Sequence, residues 1–228
     1  MITPIEPRGD LVDEVYLRLK DAILFGDLAE GSALVQSNLV DQLGVSRQPI
    51  SHALAMLRQD GLVVERGRRG LRVSEVDPDR LLSLYQVRAA LDALAARLAA
   101  ERIADRVIHS KDLMGLERIM DQGWKAVRQN AVRDLIEADV AFHRAIYAVS
   151  GNPAIDEMAK TAWPHFQRSM GLVLSVKENR EISWREHREI LASIAAGDPP
   201  LAEKRARDHA ERAGRATSDR LRARDDAA

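Results

Sequence analysis

The chain of 228 residues contains no cysteine, which excludes both disulfides and thiolate metal sites. Aromatic residues make up only 4% of it, whereas Ala, Leu, Arg and Glu abound, and this composition favours helix over sheet. No uninterrupted apolar run approaches membrane-spanning length, and the N-terminus lacks the basic start and apolar run of a signal peptide. We therefore expect a cytoplasmic protein without a membrane partner.

A strong excess of one charge is also missing, since the net charge is −1. This average hides a basic segment. Residues 42–73 carry six arginines against two acidic residues, a local net charge of +4. Because binding to nucleic-acid phosphates needs only a basic face, the overall balance leaves a DNA partner open.

The N-terminal third has the element order of a winged helix-turn-helix. Apolar spacing predicts a helix over residues 11–25, a short helix over 37–43 that Gly44 ends, and a third helix that starts after Ser46 as N-cap. Two short β-rich runs around the segment RGRRG then predict a hairpin, the wing. We assign residues 1–76 to this DNA-binding domain.

The pattern changes near residue 76, where Asp77 and Pro78 form the cap and first turn of a new helix. Six or seven antiparallel helices are predicted beyond it. We therefore expect a mainly α protein with an N-terminal winged helix-turn-helix followed by an all-helical antiparallel bundle over residues 77–228.

Three local features of the bundle are also predicted. Pro164 is expected to kink one long helix that follows the break at residues 150–153. Ser183 and Glu186 have the spacing of a capping box, which would start a helix there. The final segment SDRLRARDDAA is expected to be frayed.

Long hydrogen-bonding side chains gather at the start of the third helix. A recognition helix enters the major groove of DNA with its N-terminal residues nearest the base edges. Arg47 can bind guanine bidentately or clamp a phosphate, and Gln48 can read adenine. Shorter donors flank them, namely Ser46, Ser51 and His52.

Arginines also cluster at the tip of the predicted hairpin. Arg66, Arg68 and Arg69 lie where a wing can reach backbone phosphates or the minor groove, and the neighbouring glycines permit a tight turn. The alternative is that these arginines form a solvated face and the small domain only packs. The order of the elements favours DNA binding.

A second group of polar residues falls on apolar helix faces. Asp139 and His143 lie four residues apart on one predicted buried stripe, so both can bind the same ion. His187 and His209 also point inward on later helices. Together they form an oxygen and nitrogen ligand set suited to zinc, nickel or manganese. The alternative is that each is a hydrogen-bonded core residue.

The segment LGVSRQPISHALAMLRQDGLVVERGRRGLRV resembles the DNA-binding domain of GntR-type bacterial transcriptional regulators. The helical remainder resembles the FCD ligand-binding domain of the FadR-like branch, and the two resemblances cover about residues 10–215. The chain departs from the family pattern at Ser51-His52, where Arg-Glu is common. It departs again at Ser37, a DNA-contact candidate where many members have arginine.

The resemblance implies ligands and partners. Metal-binding FCD domains show an Asp-x3-His followed by two further histidines, which Asp139, His143, His187 and His209 match. An arginine in the first FCD helix holds the carboxylate of a small effector, so Arg88 is the first candidate for that contact. His165 and Arg168 come second because they lie near the inner apolar stripe of their helix, with a salt bridge or an edge position as their alternative. A homodimer on a two-fold-related operator is also implied.

The sequence therefore predicts a DNA-binding transcriptional regulator, more often a repressor than an activator in this family. Its DNA affinity would respond to a small organic acid bound near a divalent metal. One alternative is a DNA-binding module whose metal is purely structural. Another is a metal-dependent hydrolase, disfavoured because no general base or nucleophile is marked near the four ligands, and we therefore expect no enzymatic activity.

Overall fold

The computed structural model describes residues 9–67 and 70–226. Contacts divide the chain after Val76 into two compact units. The elements of the first unit run in the order α1 (Gly9–Leu24), β1 (Ala33–Leu34), α2 (Gln36–Leu43), α3 (Arg47–Gln59), β2 (Val63–Arg66) and β3 (Gly70–Val73).

The first unit is a three-helix head with a small antiparallel sheet. β3 lies between β1 and β2, and Val64 of β2 is paired with Arg72 of β3. Gly44 joins α2 to α3 in the left-handed conformation at φ 66°, which glycine adopts without strain. The apolar faces of all three helices pack on the sheet, with Ile50 and Leu57 of α3 fully buried. The strand β1 was not predicted, because two residues carry too little pattern to identify a strand.

The second unit is all-helical. Among its described residues it contains α4 (Pro78–Ala104), a short 3-10 helix (Ser110–Leu113), α5 (Met114–Gln129), α6 (Val132–Ser150), α7 (Pro153–Ala159), α8 (Trp163–Leu174), α9 (Lys177–Ala195) and α10 (Pro199–Asp225).

The two longest helices, α4 and α10, pack against each other along their length. Their buried faces are rich in alanine, including Ala96 on α4 and Ala206 on α10. At Gly214 the approach is close enough that a Cβ atom would lie 2.6 Å from the Cβ of Tyr85. Small side chains thus bring the two helix axes together. The bundle is completed by α5, α6, α8 and α9.

Three local predictions for the bundle are wrong. The segment after residue 153 forms two helices, α7 and α8, and Pro164 lies in the first turn of α8, where proline's missing N–H costs nothing. Ser183 lies inside α9, which already begins at Lys177. The tail is helical to Asp225; within it Leu221 is fully buried, and Arg222 forms an ion pair with Asp79 at the start of α4.

None of the helices in the described part of the chain is both long enough and apolar enough to cross a membrane.

Candidate metal centre and DNA-binding face

The second unit brings four potential metal ligands together in its core. Asp139 and His143 lie one turn apart on α6, His187 lies on α9 and His209 on α10. One ligand atom from each lies within 4.8 Å of the others, and all four side chains are buried. The Nε2 atom of His187 is 3.1 Å from Nε2 of His209 and 3.4 Å from Oδ1 of Asp139. Three helices, α6, α9 and α10, therefore converge on one point.

Two carboxylates outside this group orient its histidines. Nδ1 of His143 donates to Asp92 at 3.2 Å, and Nδ1 of His209 donates to Glu186 at 2.7 Å. In a neutral ring, a donating Nδ1 leaves the lone pair on Nε2, the nitrogen that can bind a metal. Carboxylates in this position are typical outer partners of metal-bound histidine, where they fix the tautomer and raise the basicity of the ring.

The imidazole rings of His187 and His209 favour the neutral state that metal binding requires. Burial lowers the pKa of His187 well below its usual value, and the neighbouring cationic groups lower it further. Burial also lowers the pKa of His209, although the contact with Glu186 opposes the shift. Both rings are therefore uncharged near neutral pH and carry a lone pair that can be donated to a cation.

Two buried polar atoms that accept no hydrogen bond show that the group of four ligands fits a cation. Among the described residues, Oδ2 of Asp139 and Nε2 of His143 are buried and accept no hydrogen bond, although Oδ2 forms a long ion pair of 3.6 Å with Nη2 of Arg88. The two atoms lie 3.9 Å apart, too far for a hydrogen bond to join them. Buried polar atoms without a partner are costly, and a divalent ion between them would satisfy both. The donor set of one carboxylate and three imidazoles suits zinc, nickel or manganese.

Arg88 lies in the same core and is 3% exposed. Its Nε donates to Asp92 at 3.2 Å, and its guanidinium packs against the ring of Trp163, 4.9 Å from the centroid. Burial lowers the pKa of Arg88, but Asp92 and Asp139 raise it by more, so the side chain stays charged. Its Nη2 atom is buried and forms an ion pair of 3.6 Å with Oδ2 of Asp139, but it makes no hydrogen bond within the described part of the chain.

A small cavity borders the group. Its walls combine charged and polar side chains with apolar ones: Tyr85, Arg88, Asp139, Met170, Val173, Leu174, Ser183, His209, Arg212, Ala213 and Thr217. The free space inside it is about 20 Å³. Of the three effector-contact candidates, the described lining contains Arg88 and neither His165 nor Arg168. The latter two lie on α8, His165 partly buried and Arg168 buried.

Sequence reasoning missed three residues of this site: Asp92, Glu186 and Arg212. Asp92 accepts from His143, Arg88 and the hydroxyl of Tyr147, and these donors hold its pKa below the usual range although burial raises it. A lone acid on the Ala/Leu face of α4, four residues after Arg88, was a readable signal. Arg212 of α10 forms an ion pair with Glu186 of α9, and no sequence pattern indicates this contact.

The N-terminal end of α3 forms an exposed polar face in the first unit. The side chains of Ser46, Arg47, Gln48, Ser51 and His52 are exposed, whereas the opposite face of the helix is buried in the core. Ser46 occupies the N-cap position, but within the described residues its hydroxyl makes no capping bond. The hydroxyl of Ser51 donates to Oε1 of Gln36, at the start of α2, over 3.5 Å. These groups are thus available to a ligand.

Two arginines of the first unit are paired with acidic residues of the same unit. Arg58 forms an ion pair with Glu65, and Arg72 forms one with Glu75. In the described part of this unit Arg47 and Arg66 form no ion pair, and both are exposed. Ser37 is exposed on α2, next to Asn38. Arg68 and Arg69 lie outside the described residues.

Comparison with known families identifies both units. Residues 11–73 match the model for bacterial regulatory proteins of the gntR family, and residues 83–212 match the FCD domain. The chain is a GntR-family transcriptional regulator with an FCD domain. This confirms the resemblance read from the sequence and the predicted fold class.

Relatives of this GntR-family regulator support the assignment along most of its length. It is 31% identical over 201 residues to an HTH-type transcriptional regulator in an unstable DNA locus of Streptomyces ambofaciens, covering 86% of this chain and 80% of that protein. It is 22% identical over 214 residues to the HTH-type transcriptional repressor RspR of Escherichia coli, covering 91% and 89%.

Solved structures show the same fold. The crystal structure of a GntR transcriptional regulator from Rhodococcus sp. RHA1 superposes with a TM-score of 0.78 at 20% identity, covering 92% of this chain and 98% of that one. The two proteins therefore share one fold along most of both chains.

Proposed function

We propose that this GntR-family regulator is a homodimeric repressor that binds a two-fold-related DNA operator. Its affinity for the operator is controlled by a small carboxylic acid, which binds beside a divalent metal ion in the FCD domain. The observation that carries the proposal is the convergence of Asp139, His143, His187 and His209 next to a cavity lined by a buried arginine.

The exposed start of α3 supports operator binding. Arg47 and Gln48 are exposed in the first turn of α3, as base reading in a major groove requires. Arg66 at the end of β2 supplies charge for a phosphate, and Arg68 and Arg69 in the wing are proposed to add to it. The relative RspR is described as a transcriptional repressor, which supports repression as the role of this chain.

The four buried ligands support a resident metal. Oδ2 of Asp139 and Nε2 of His143 accept no hydrogen bond within the described residues, which fits a cation, and the carboxylates of Asp92 and Glu186 hold two of the rings in the binding tautomer. A divalent ion held there supplies positive charge at the edge of the cavity. We propose zinc or nickel first, with manganese as a further option.

The cavity beside the ligands supports a carboxylate effector. Nη2 of Arg88 is a buried donor that lines this cavity, and within the described residues its contact is a 3.6 Å ion pair with Asp139 and not a hydrogen bond. A carboxylate oxygen is the acceptor that such a donor binds best. The effector changes DNA affinity only if it binds the DNA-competent and DNA-free arrangements unequally.

The proposal is tested in two steps on the full chain. Native mass spectrometry reports subunit count, bound metal and any retained acid in one spectrum. A dimer with one metal per chain is expected. Operator sequences are then selected from random duplex DNA, and binding is followed by fluorescence anisotropy with zinc, with a chelator and with a panel of small carboxylic acids. Monomeric chains that take up neither zinc nor nickel would contradict the metal and dimer parts and leave DNA binding intact.

One observation favours a second candidate, a metal with a purely structural role. Four protein ligands already complete the tetrahedral coordination that zinc adopts in structural sites. In that case zinc raises the melting temperature and no small acid adds to the shift. At a free zinc concentration of a hundred times Kd, the metal alone stabilises the folded chain by about 2.7 kcal/mol. A further increase with an acid favours the effector proposal.

A further inference from the structure

A second cavity opens on the surface of the FCD domain, where α6 ends and α7 begins. It encloses about 450 Å³ of free space, a volume typical of small-molecule sites and far above the 20 Å³ of the core cavity. Its walls come from the end of α6, the turn that follows and the start of α7: Arg144, Tyr147, Ala148, Gly151, Asn152, Pro153 and Asp156. None of these residues belongs to the proposed metal or effector site.

An ion pair with two hydrogen bonds forms the charged part of the wall. Nε and Nη2 of Arg144 donate to the two carboxylate oxygens of Asp156, each over 2.8 Å. These hydrogen bonds raise the pKa of Arg144 and lower the pKa of Asp156, so both groups are charged at neutral pH. The two side chains are 55% and 38% exposed and can be reached from solvent. The described lining therefore presents one positive and one negative charge and no net charge.

Both partners of this ion pair keep hydrogen-bonding capacity for a ligand. Within the described residues, Nη1 of Arg144 donates to no acceptor, and neither does Nδ2 of Asn152, whose Oδ1 already caps α7. Each oxygen of Asp156 accepts one hydrogen bond from Arg144 and has a second lone pair. Donors for a carboxylate and acceptors for an ammonium group therefore lie side by side.

The rest of the wall favours an apolar group. Ala148 and Pro153 contribute carbon atoms, and Tyr147 offers its ring, because its hydroxyl is already bound to Asp92 in the core. A ligand with a single charge gains little here, since the attraction to one member of the ion pair is opposed by repulsion from the other. A ligand that carries both charges is attracted by both members.

We propose that this cavity binds a zwitterionic α-amino acid with an apolar side chain. Its carboxylate is bound by Arg144 and Asn152, and its ammonium group is bound by Asp156. This site is separate from the metal centre and requires neither the metal nor the carboxylic acid of the proposed function.

Isothermal titration calorimetry of the full chain at neutral pH tests the proposal, with L-leucine and L-phenylalanine as probes. Two analogues of leucine each lack one charge: 4-methylpentanoate has no ammonium group, and 3-methylbutylamine has no carboxylate. L-leucine is expected to bind at least about tenfold more tightly than either analogue, the low end for one lost charged hydrogen bond. The proposal is overturned if neither amino acid binds at millimolar concentration, or if an analogue binds as tightly as L-leucine. Both results would leave the metal and DNA proposals standing.

Variants locate the site. Asp156→Asn is expected to weaken L-leucine binding at least about tenfold and to narrow its advantage over 4-methylpentanoate, because the repulsion of that anion is removed. Ala148→Leu keeps both charges and fills the apolar wall with an exposed side chain. It is expected to weaken L-leucine binding and to leave the preference over 4-methylpentanoate unchanged.

Arg133→Gln is the matched control, since it removes an exposed arginine of the same helix that pairs with Glu137. Its affinity for L-leucine is expected to equal that of the unmodified chain. Tryptophan emission, which arises entirely from the second unit, verifies that each variant is folded. Unchanged L-leucine affinity in folded Asp156→Asn or Ala148→Leu would place the amino acid elsewhere and contradict the proposal.

Discussion

Replacing Gly123 by alanine tests how α5 packs against the helix that carries His187. A Cβ atom at this position would lie 1.7 Å from Cζ2 of Trp184, whereas ordinary contact begins at 3.4 Å. Trp184 is fully buried, and its Nε1 donates to the carbonyl of Met120 on α5 at 3.2 Å. The ring must therefore move, and its hydrogen bond to α5 is lost.

The magnitude follows from three effects. Overpacking a core costs about 1–3 kcal/mol. Leaving the buried acceptor unsatisfied costs about 1–3 kcal/mol more. The higher helix propensity of alanine returns about 1 kcal/mol. We expect Gly123→Ala to lower the free energy of unfolding by about 3 kcal/mol, which lowers the melting temperature of a unit of this size by about 6–12 °C.

Urea unfolding followed by tryptophan emission measures this change, because all three tryptophans belong to the second unit. Gly171→Ala is the matched control, since a Cβ there meets no atom within 4 Å, and a gain of up to about 1 kcal/mol is expected. Gly123→Ala should also weaken zinc binding, because the ring of Trp184 packs 4.7 Å from that of His187. If Gly123→Ala is as stable as Gly171→Ala, the packing of α5 on α9 described above is refuted.

Four further substitutions affect two metal ligands, the carboxylate that binds His209, the proposed DNA contact Arg47 and the stability of the first unit. The double substitution His187→Ala and His209→Ala should abolish zinc uptake in native mass spectrometry, because half the ligand set is removed. Glu186→Gln should weaken zinc binding about 10–100-fold in a chelator competition, since Nδ1 of His209 loses its charged acceptor. Arg47→Ala should weaken operator binding by about 1–3 kcal/mol in anisotropy titrations if it reads a base. Tyr16→Phe should destabilise the first unit by about 1 kcal/mol in circular dichroism unfolding, because the bond to Asp60 is lost.

Controls separate these effects from general damage. Glu189→Gln, on the same helix as Glu186 and exposed, should leave zinc affinity unchanged. Arg18→Ala removes an exposed arginine of α1 that pairs with Glu14, and it should barely alter operator affinity. Full zinc occupancy in the double histidine variant would refute the ligand set. An equal loss of affinity for operator and random DNA in Arg47→Ala would reassign that residue to a phosphate contact.

Local patterns predicted the parts of the fold that short stretches of chain control. Gly44 ends α2 and Asp77 caps α4, because these residues act on backbone groups within a few positions. The same local logic failed at Ser183, whose spacing to Glu186 imitates a capping box. The residues before it, from Lys177 onward, already form a helix, so no free N–H groups remained there to cap.

By itself the sequence determined which faces are buried, and so it determined that Asp139, His143, His187 and His209 point inward. Helical periodicity makes that inference possible because a side chain's direction depends only on its own helix. Only the tertiary structure decided that these four side chains meet at one point. It also decided that Asp92 and Glu186 contact two of the histidines and that Arg212 lines the cavity beside them. Those contacts depend on how closely α4, α6, α9 and α10 approach one another, and that distance is set by packing between distant segments, which no local pattern records.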